Sequence, residues 1–337
     1  MSAISNRAHT ITEEALRCDT LEVMQPAKIG EGTWLNELLL FIKPEVFMVP
    51  EAGQTEKVVD LILEKISEFD IQINGVSIVG GRILDEQEIM NRHYGFINVL
   101  SRSASKVLNA EDKKRIEDSL GISIHGYDIL GGHEYLQQYP EETSSDLDRF
   151  WFMGKSTKIR SGFYVRPVEK NGRDIILVNG FHPQQLAHFT QPSHKIVLML
   201  LHSNTDWAIL KNEMVGATFP EKAVPDSIRG ILHSHAQAYG FESVTIANNC
   251  VHLSAGPFEA MFEMVNFFGK ITGLDVQKQL PLILRRMLEA GIEYEQAIKA
   301  LDNPTITYSG KQIDLFTATE DMNTDEAVAL YKQNVSR

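Results

Sequence analysis

The stretch Leu38-Leu39-Leu40-Phe41-Ile42-Lys43-Pro44 sets the fold of this chain. Five apolar residues in a row that end at proline predict a buried strand, because proline cannot continue a sheet ladder. An apolar stripe at helical spacing over residues 58–66 then predicts a helix, and residues 71–78 predict a second strand. Residues 85–94 open with acidic side chains and predict a second helix. The order is therefore strand, helix, strand, helix.

The alternation of predicted strands and helices resumes after residue 190. Residues 195–201 (KIVLMLL) predict another buried strand, and residues 207–210 predict a strand paired with it. A further strand is expected to end at residues 249–252, and Pro257 opens a helix with apolar residues on one face. Strands and helices thus alternate on both sides of a long middle segment.

The middle segment differs from both flanks in the pattern of its predicted helices and strands. Residues 110–120 predict a charged helix, and Lys170-Asn171-Gly172-Arg173 between apolar runs predicts a hairpin. We interpret this segment as a subdomain inserted into the first fold. The expected organisation is an N-terminal arm (1–35), a discontinuous domain (36–95 and 181–270), the inserted subdomain (96–180) and a C-terminal helical extension (271–337).

Composition excludes several classes of protein. The chain has 337 residues, a formal net charge of −13 and only two cysteines, Cys18 and Cys250. Strong acidity disfavours nucleic acid and anionic membranes as partners. Two distant cysteines form neither a disulfide framework nor a zinc-ligand array. The apolar runs are too short to span a bilayer, and the first residues do not resemble a signal peptide, so we expect a cytoplasmic protein.

The segment Asn249-Cys250-Val251-His252-Leu253-Ser254 carries the candidate chemistry. Ser254 and the following Pro257 predict a helix start close to the imidazole of His252. Glu263 lies eleven positions after His252. A carboxylate that accepts a proton from one ring nitrogen fixes the tautomer and leaves the other nitrogen nucleophilic. The alternative is a structural histidine at a strand end and a solvated glutamate on an amphipathic helix.

Several segments, taken in order, resemble the nucleoside-diphosphate kinase family. The pattern of His252, Ser254 and Glu263 is similar to the family's active-site segment, in which the histidine is phosphorylated and the carboxylate orients it. The other similar segments are Leu40-Phe41-Ile42-Lys43-Pro44-Glu45, Arg92-His93-Tyr94, Met214-Val215-Gly216-Ala217-Thr218-Phe219-Pro220 and Ser227-Ile228-Arg229-Gly230. They cover under half of the chain.

The resemblance implies a fold and a set of site residues. The fold is α+β, with a ferredoxin-like antiparallel sheet covered by helices, to which the insertion adds a hairpin and helices. The catalytic residues are His252 and Glu263, with Ser254 in support. The residues that bind the nucleotide are Lys43, Tyr94, Thr218, Arg229 and Asn249.

The resemblance also implies an activity. The terminal phosphoryl of a nucleoside triphosphate would move to a nucleoside diphosphate through phosphohistidine. Mg²⁺ would arrive with the nucleotide, so no metal ligands are expected from the protein. Positioning and charge neutralisation by Lys, Arg, Thr and Tyr side chains suit phosphoryl transfer. Family members form oligomers, so a homo-oligomer is expected unless the insertion or the tail replaces that interface.

Two departures from the family pattern keep other readings open. Asn212 stands where the family has a second arginine, and residues 183–186 lack the aromatic side chain that clamps the base. Phe181 or Phe189 could replace that clamp. An inserted cation could replace the arginine, or the inserted cations could form a solvated face (Lys155, Lys158, Arg160, Arg166). The alternatives are a catalytically weak or inactive nucleotide-binding or regulatory module, and a histidine phosphotransferase with another acceptor.

Two further motifs are set aside. Gly154-Lys155-Ser156-Thr157 ends like a P-loop, but Arg149 stands where that motif needs its first glycine. His233 and His235 have a spacing found in metal sites, and on a strand both would face one side. Because no acidic cluster follows closely, exposed loop histidines are the better interpretation.

Overall fold

The structure is a computed structural model that describes residues 2–160, 162–273, 275 and 278–335. Its strands, in chain order, are β1 Leu21–Gln25, β2 Asn36–Ile42, β3 Gln72–Gly80, β4 Asp128–Gly131, β5 Thr157–Arg160, β6 Phe163–Lys170, β7 Arg173–Val178, β8 Lys195–Ser203, β9 Val251–Leu253, β10 Thr305–Tyr308 and β11 Lys311–Asp314.

The α-helices, in chain order, are α1 Ala3–Arg17, α2 Ala52–Glu68, α3 Gly81–Glu86, α4 Ile89–His93, α5 Gly95–Val107, α6 Ala110–Leu120, α7 Gly132–Gln138, α8 Ser144–Phe152, α9 His182–Thr190, α10 Trp207–Ile209, α11 Ile228–Ser234, α12 Pro257–Ile271, α13 Leu282–Glu289, α14 Tyr294–Lys299, α15 Leu315–Ala318 and α16 Thr324–Val335. Among the described residues, no helix has the length and apolar character needed to cross a bilayer. The chain divides into two compact units, one formed by the residues up to Gln87 and from Pro192 onward, the other by Glu88–Gln191.

The first unit is built on one antiparallel sheet. Its strands in the described chain lie in the order β1-β3-β8-β2-β9, and each neighbouring pair is antiparallel. Without β1, this is the strand order of the ferredoxin-like βαββαβ pattern. Helix α2 lies in the first crossover, between β2 and β3, and α10 and α11 lie in the second, between β8 and β9, while α12 follows β9. Strands β2 and β8 are buried along their whole length, as their unbroken apolar runs predict. The expected α+β fold with an antiparallel sheet is confirmed.

The first 35 residues are more ordered in structure than an arm. Helix α1 packs on α2 through a stripe of small and branched side chains that includes Ala8, Ile11 and Ala15. Strand β1 pairs with β3 and extends the sheet by one strand. Alanine and threonine supply three of the four buried residues of α1, and these residue types give a weak periodic signal in the sequence.

Two local predictions are wrong. Residues 85–94 do not form one helix, because Glu88 adopts a left-handed conformation (φ 53°) that separates α3 from α4. Residues 207–210 form a helical turn that continues as a π-helix over Leu210–Val215, not a strand. The indole of Trp207 is buried there and donates a hydrogen bond to the carbonyl of Ser254 at 3.0 Å. This tertiary contact overrides the strand propensity of the short apolar run.

The C-terminal part of the first unit forms its own apolar cluster. Helices α13, α14 and α16 and the hairpin β10–β11 pack around side chains such as Leu284, Met287 and Tyr331. Phe258 and Met261 of α12 belong to the same cluster. The C-terminal extension is therefore packed against the helix that carries Glu263.

The second unit contains a separate sheet in the order β4-β7-β6-β5. The hairpin predicted at Asn171-Gly172 is confirmed: β6 and β7 pair up to Lys170 and Arg173, and both turn residues have positive φ (53° and 74°). Positive φ at both positions is the type I′ geometry that Asn-Gly favours. The predicted charged helix is α6. Gly154-Lys155-Ser156 follows helix α8 instead of a strand, which is not the setting of a P-loop.

Candidate active site

His252 lies in the middle of the short edge strand β9. Its strand pairs with the end of β2, so His252 is opposite Phe41. The two rings stack with centroids 4.5 Å apart and planes 19° from parallel. The imidazole is therefore held flat against a buried aromatic side chain, and 21% of its side chain remains exposed.

A chain of hydrogen bonds fixes the orientation of that ring. His252 Nε2 lies 2.6 Å from Oε1 of Glu263, whose side chain is fully buried on α12. The hydroxyl of Ser254 donates to the other carboxylate oxygen at 2.5 Å. Ser254 is itself held by the backbone of Leu39, which donates to its Oγ at 3.2 Å. With Nε2 committed to Glu263 as the donor, the lone pair of the imidazole is on Nδ1.

The surroundings keep His252 neutral. Burial, and to a smaller extent the cations Lys43 and Arg229, lower the pKa of the imidazole to about 3 against an opposing effect of Glu259. A histidine whose pKa is depressed is unprotonated above that pKa. At neutral pH the ring is therefore an uncharged nucleophile.

Lys43 and Asn249 form the cationic side of the site. Lys43 Nζ donates to Oδ1 of Asn249 at 2.6 Å, and the Asn249 amide donates to the backbone carbonyls of Thr218 and Ile246, each at 3.3 Å. Burial lowers the pKa of the Lys43 ammonium. The carboxylate of Glu45 opposes this shift and Arg229 adds to it. A desolvated ammonium gains from an anionic ligand.

Arg229 is almost fully buried, with 8% of its surface exposed. Its guanidinium donates to the carbonyl oxygens of Gly216 and Val251, each at 2.8 Å, and so connects the loop after the π-helix to the residue before His252. Nε is buried and has no hydrogen-bond partner among the described residues. Burial lowers the pKa of Arg229 to about 10, so the group still carries its charge at neutral pH.

The backbone between Asn249 and His252 bends sharply at Cys250. Cys250 has a left-handed conformation (φ 67°), and its N–H donates to Oε1 of Glu45 at 2.9 Å. Its carbonyl accepts the Lys43 N–H at 2.8 Å. The Lys43-Pro44-Glu45 turn and the His252 segment therefore hold each other in place.

The structure brings most of the predicted residues together. His252, Glu263, Ser254, Lys43, Asn249 and Arg229 are linked by the contacts above, and Thr218 joins them through its backbone. Tyr94 belongs to the second unit, which begins at Glu88. There its ring packs edge-on against His182, with centroids 5.2 Å apart.

The departures from the family pattern are also visible. Asn212 is exposed, and its amide donates to the carbonyl of Ala208 on its own helix at 2.8 Å. The neighbouring Lys211 is paired with Glu320 and Asp321. His233 and His235 end helix α11 and do not lie on a strand, so their spacing does not place both imidazoles on one face.

Two of the inserted cations and both candidate base-clamp residues contact groups of the second unit. Arg166 donates to the carbonyls of Phe150 and Trp151, and Arg160 lies over the ring of Phe96 at 4.2 Å. Phe181 packs against Trp151, and Phe189 is buried.

Three groups at the site were not assigned from the sequence. Phe41 supports the imidazole, Glu45 holds the Cys250 turn, and Glu259 lies one helical turn before Glu263. The spacing of Glu259 and Glu263 places both carboxylates on one helix face, which is a signal the sequence contains. The ring stacking has no such signal, because it depends on the register between β9 and β2.

Comparison with solved structures yields a weak likeness. No protein-family model matches the sequence, and no curated protein does. The structure is similar to the crystal structure of an NDP kinase from Pyrobaculum aerophilum, with 20% sequence identity and a TM-score of 0.35. The alignment covers 69% of this chain and 95% of that one. A likeness at this level does not identify the activity of the chain.

Proposed function

We propose that this protein transfers the terminal phosphoryl group of a nucleoside triphosphate to a nucleoside diphosphate through phosphorylated His252. The observation that carries the proposal is the 2.6 Å contact between His252 Nε2 and the buried carboxylate of Glu263. The lone pair is then on Nδ1 of a neutral, oriented and partly exposed ring, and the half-buried Lys43 and the buried Arg229 act on that ring electrostatically. This arrangement suits an imidazole nitrogen that attacks an anionic phosphoryl group.

The transfer would take place in two displacements. The lone pair on Nδ1 attacks the terminal phosphorus, the Nδ1–P bond forms, and the bond to the bridging oxygen breaks. That oxygen keeps the electron pair and leaves as part of the diphosphate. The proton on Nε2 stays between the ring and Glu263, so no base has to remove it. A second diphosphate then attacks phosphorus and restores the neutral imidazole.

The residues around His252 suit the charges of this reaction. Lys43 and Arg229 would stabilise the phosphate oxygens by charge-assisted hydrogen bonds. Asn249 and the loop at Thr218 set the position of the ammonium of Lys43. The second displacement reverses the first, so the same cations would serve both.

Mg²⁺ fits this site as a companion of the nucleotide. Three carboxylates of the site already accept hydrogen bonds from the chain: Glu263 from Ser254, Glu45 from Cys250, and Glu259 from Ala255. Phosphate oxygens and water would therefore hold the ion, as Mg²⁺ prefers. Bound there, it would neutralise phosphate charge.

Glu263→Gln is expected to lower turnover much more than nucleotide binding. The amide keeps the size of the side chain but removes the charge that orients the imidazole. We expect a loss of about 10- to 100-fold in kcat, comparable with the loss of an orienting carboxylate from a metal-bound histidine. Steady-state kinetics and calorimetric titration with a diphosphate measure the two effects. An equal loss in both would show that Glu263 acts on the nucleotide and not on His252.

Lys43→Met is expected to weaken binding of the nucleotide. Methionine keeps the apolar stem and removes the ammonium, and a hydrogen bond to a charged group contributes roughly 1.5–3 kcal/mol. The dissociation constant for a triphosphate should therefore rise by about 10- to 150-fold. Lys57→Met, at an exposed position on α2, is the matched control and should bind normally. Normal binding by the Lys43 variant would place the phosphate site elsewhere.

A second function is favoured by one observation. Asn212 is turned to its own helix and supplies no cation, so the site has one phosphate contact fewer than the family pattern implies. A nucleotide-binding module without turnover would share the fold and the cationic pocket. Incubation with a triphosphate labelled at the terminal phosphoryl separates the two functions, because only the enzyme retains acid-labile label.

A further inference from the structure

Glu259 interacts electrostatically with His252. It precedes Glu263 by four residues on α12 and is half-buried. Its Oε2 accepts the backbone N–H of Ala255, which follows His252 by three residues. Glu259 therefore ties the start of α12 to the turn that leads out of β9. The hydrogen bond also fixes the direction in which the chain leaves His252.

The charges that act on Glu259 come from several elements. Glu263 lies on its own helix, His252 on β9, and Glu320 between α15 and α16. Glu320 is paired with Lys211, while Lys43 and Arg229 act on His252. Burial first, and then the charge of Glu263, raise the pKa of Glu259 to about 7. Glu259 thus changes charge near neutral pH, whereas His252, with a pKa of about 3, does not.

We infer that Glu259 is a positioning residue for His252 and takes up one proton when His252 is phosphorylated. This rests on the proposed function. A phosphoryl group brings close to two negative charges to a ring that already interacts electrostatically with Glu259. Added negative charge disfavours ionisation of a neighbouring carboxyl, so phosphorylation raises the affinity of Glu259 for a proton.

The balance of the step follows directly. The Nδ1–P bond forms, the bond to the diphosphate oxygen breaks, and that oxygen keeps its electron pair. One proton from solvent binds the Glu259 carboxylate, while the proton on Nε2 remains shared with Glu263. No oxidant or further reactant is needed. The equilibrium between free enzyme and phosphoenzyme must then depend on pH.

The test compares wild-type protein with Glu259→Gln. The phosphoenzyme fraction is measured at a fixed ratio of ATP to ADP between pH 5.5 and about 9, a window chosen around the pKa of Glu259. The nucleotides ionise in this range too, but they contribute equally to both proteins. The difference in log K therefore isolates Glu259. Glu289→Gln, at an exposed position on α13, is the matched control.

The expected result has a definite sign. Above about pH 7 the equilibrium constant for phosphoenzyme formation should fall in the wild type relative to the variant, by up to about tenfold per pH unit. The fall ends where Glu259 of the phosphoenzyme also ionises. Wild-type and Glu289→Gln should give the same curve. Parallel curves for wild type and Glu259→Gln would overturn the inference.

A second readout does not require phosphorylation. The ¹⁵N shifts of the His252 ring in nucleotide-free protein should show an inflection near pH 7 that Glu259→Gln lacks. No inflection in wild type would overturn the coupling of the two groups. An inflection without any phosphoenzyme would support the coupling and reject the proposed function, so the two failures are distinguishable.

A third variant separates position from charge. Glutamine can still accept the Ala255 N–H, and alanine cannot. Phosphoenzyme formation at pH 6 should therefore be several-fold slower in Glu259→Ala than in Glu259→Gln. Thermal unfolding of both variants confirms that they are folded. Equal rates for the two variants at that pH would contradict a positioning role.

Discussion

His252→Ala is expected to abolish phosphoenzyme formation while the protein stays folded and still binds nucleotide. Removal of the nucleophile from an enzyme of this kind costs about 10⁴-fold or more in turnover. The fold should survive because the ring is partly exposed and alanine is compatible with a short edge strand. Lys43, Asn249 and Arg229 do not depend on the imidazole for their hydrogen bonds.

The measurement is transfer of label from γ-labelled ATP, with His235→Ala as control. His235 is exposed at the end of α11, and its loss should change nothing. Calorimetric titration with a diphosphate tests whether the His252 variant still binds. Label retained by the His252 variant would show that another group is the nucleophile.

Arg229→Ala is expected to affect both stability and binding. The guanidinium satisfies the carbonyls of Gly216 and Val251, and alanine leaves two buried acceptors without partners. Each unsatisfied group costs about 1–3 kcal/mol, offset in part because a buried charge is also removed. We expect the free energy of unfolding to fall by roughly 2–4 kcal/mol. Nucleotide binding should weaken as well, since one cation is lost.

Urea unfolding measures the first effect, and titration with a triphosphate below the transition measures the second. Arg82→Ala, at an exposed position on α3, is the control and should be neutral in both. Arg229→Lys keeps the charge but cannot reach both carbonyls with one ammonium. It should therefore bind the triphosphate more tightly than Arg229→Ala, while its free energy of unfolding stays below that of the wild type. If Arg229→Ala is as stable as the control, the two hydrogen bonds do not hold the loop to β9.

Much of the sheet could be predicted because its strands are buried on both faces. The runs at residues 38–42 and 195–201 are long and uninterrupted, and their positions do not depend on distant contacts. The Asn171-Gly172 hairpin was predictable for a different reason, since few residues tolerate positive φ twice in succession.

The failures share a physical cause. Trp207 sits in a short apolar run that suits a strand, but its indole hydrogen bond to Ser254 and its burial fix a helical turn. Glu88 gives no sequence sign that it will adopt φ 53° and split a helix. In both cases tertiary packing decides between conformations that local propensity leaves nearly equal in free energy.

The candidate site shows the same division. Spacing alone suggests that His252 and Glu263 can meet, since a helix that follows a strand can pack back against it and bring their side chains together. Spacing cannot show that Nε2 is the nitrogen that meets the carboxylate, or that Phe41 lies under the ring. Those facts depend on the side-chain rotamer and on the register of β9 with β2.

The most direct test of the account is the nitrogen on which His252 carries the phosphoryl group. Wild-type protein is incubated with ATP and Mg²⁺, denatured in base, and analysed by ³¹P NMR and by mapping of the phosphopeptide. The account predicts one acid-labile, base-stable phosphoryl group on Nδ1 of His252, because Nε2 is held by Glu263. It also predicts that added diphosphate discharges this group. A phosphoryl group on Nε2 or on another residue, or none at all, would contradict it.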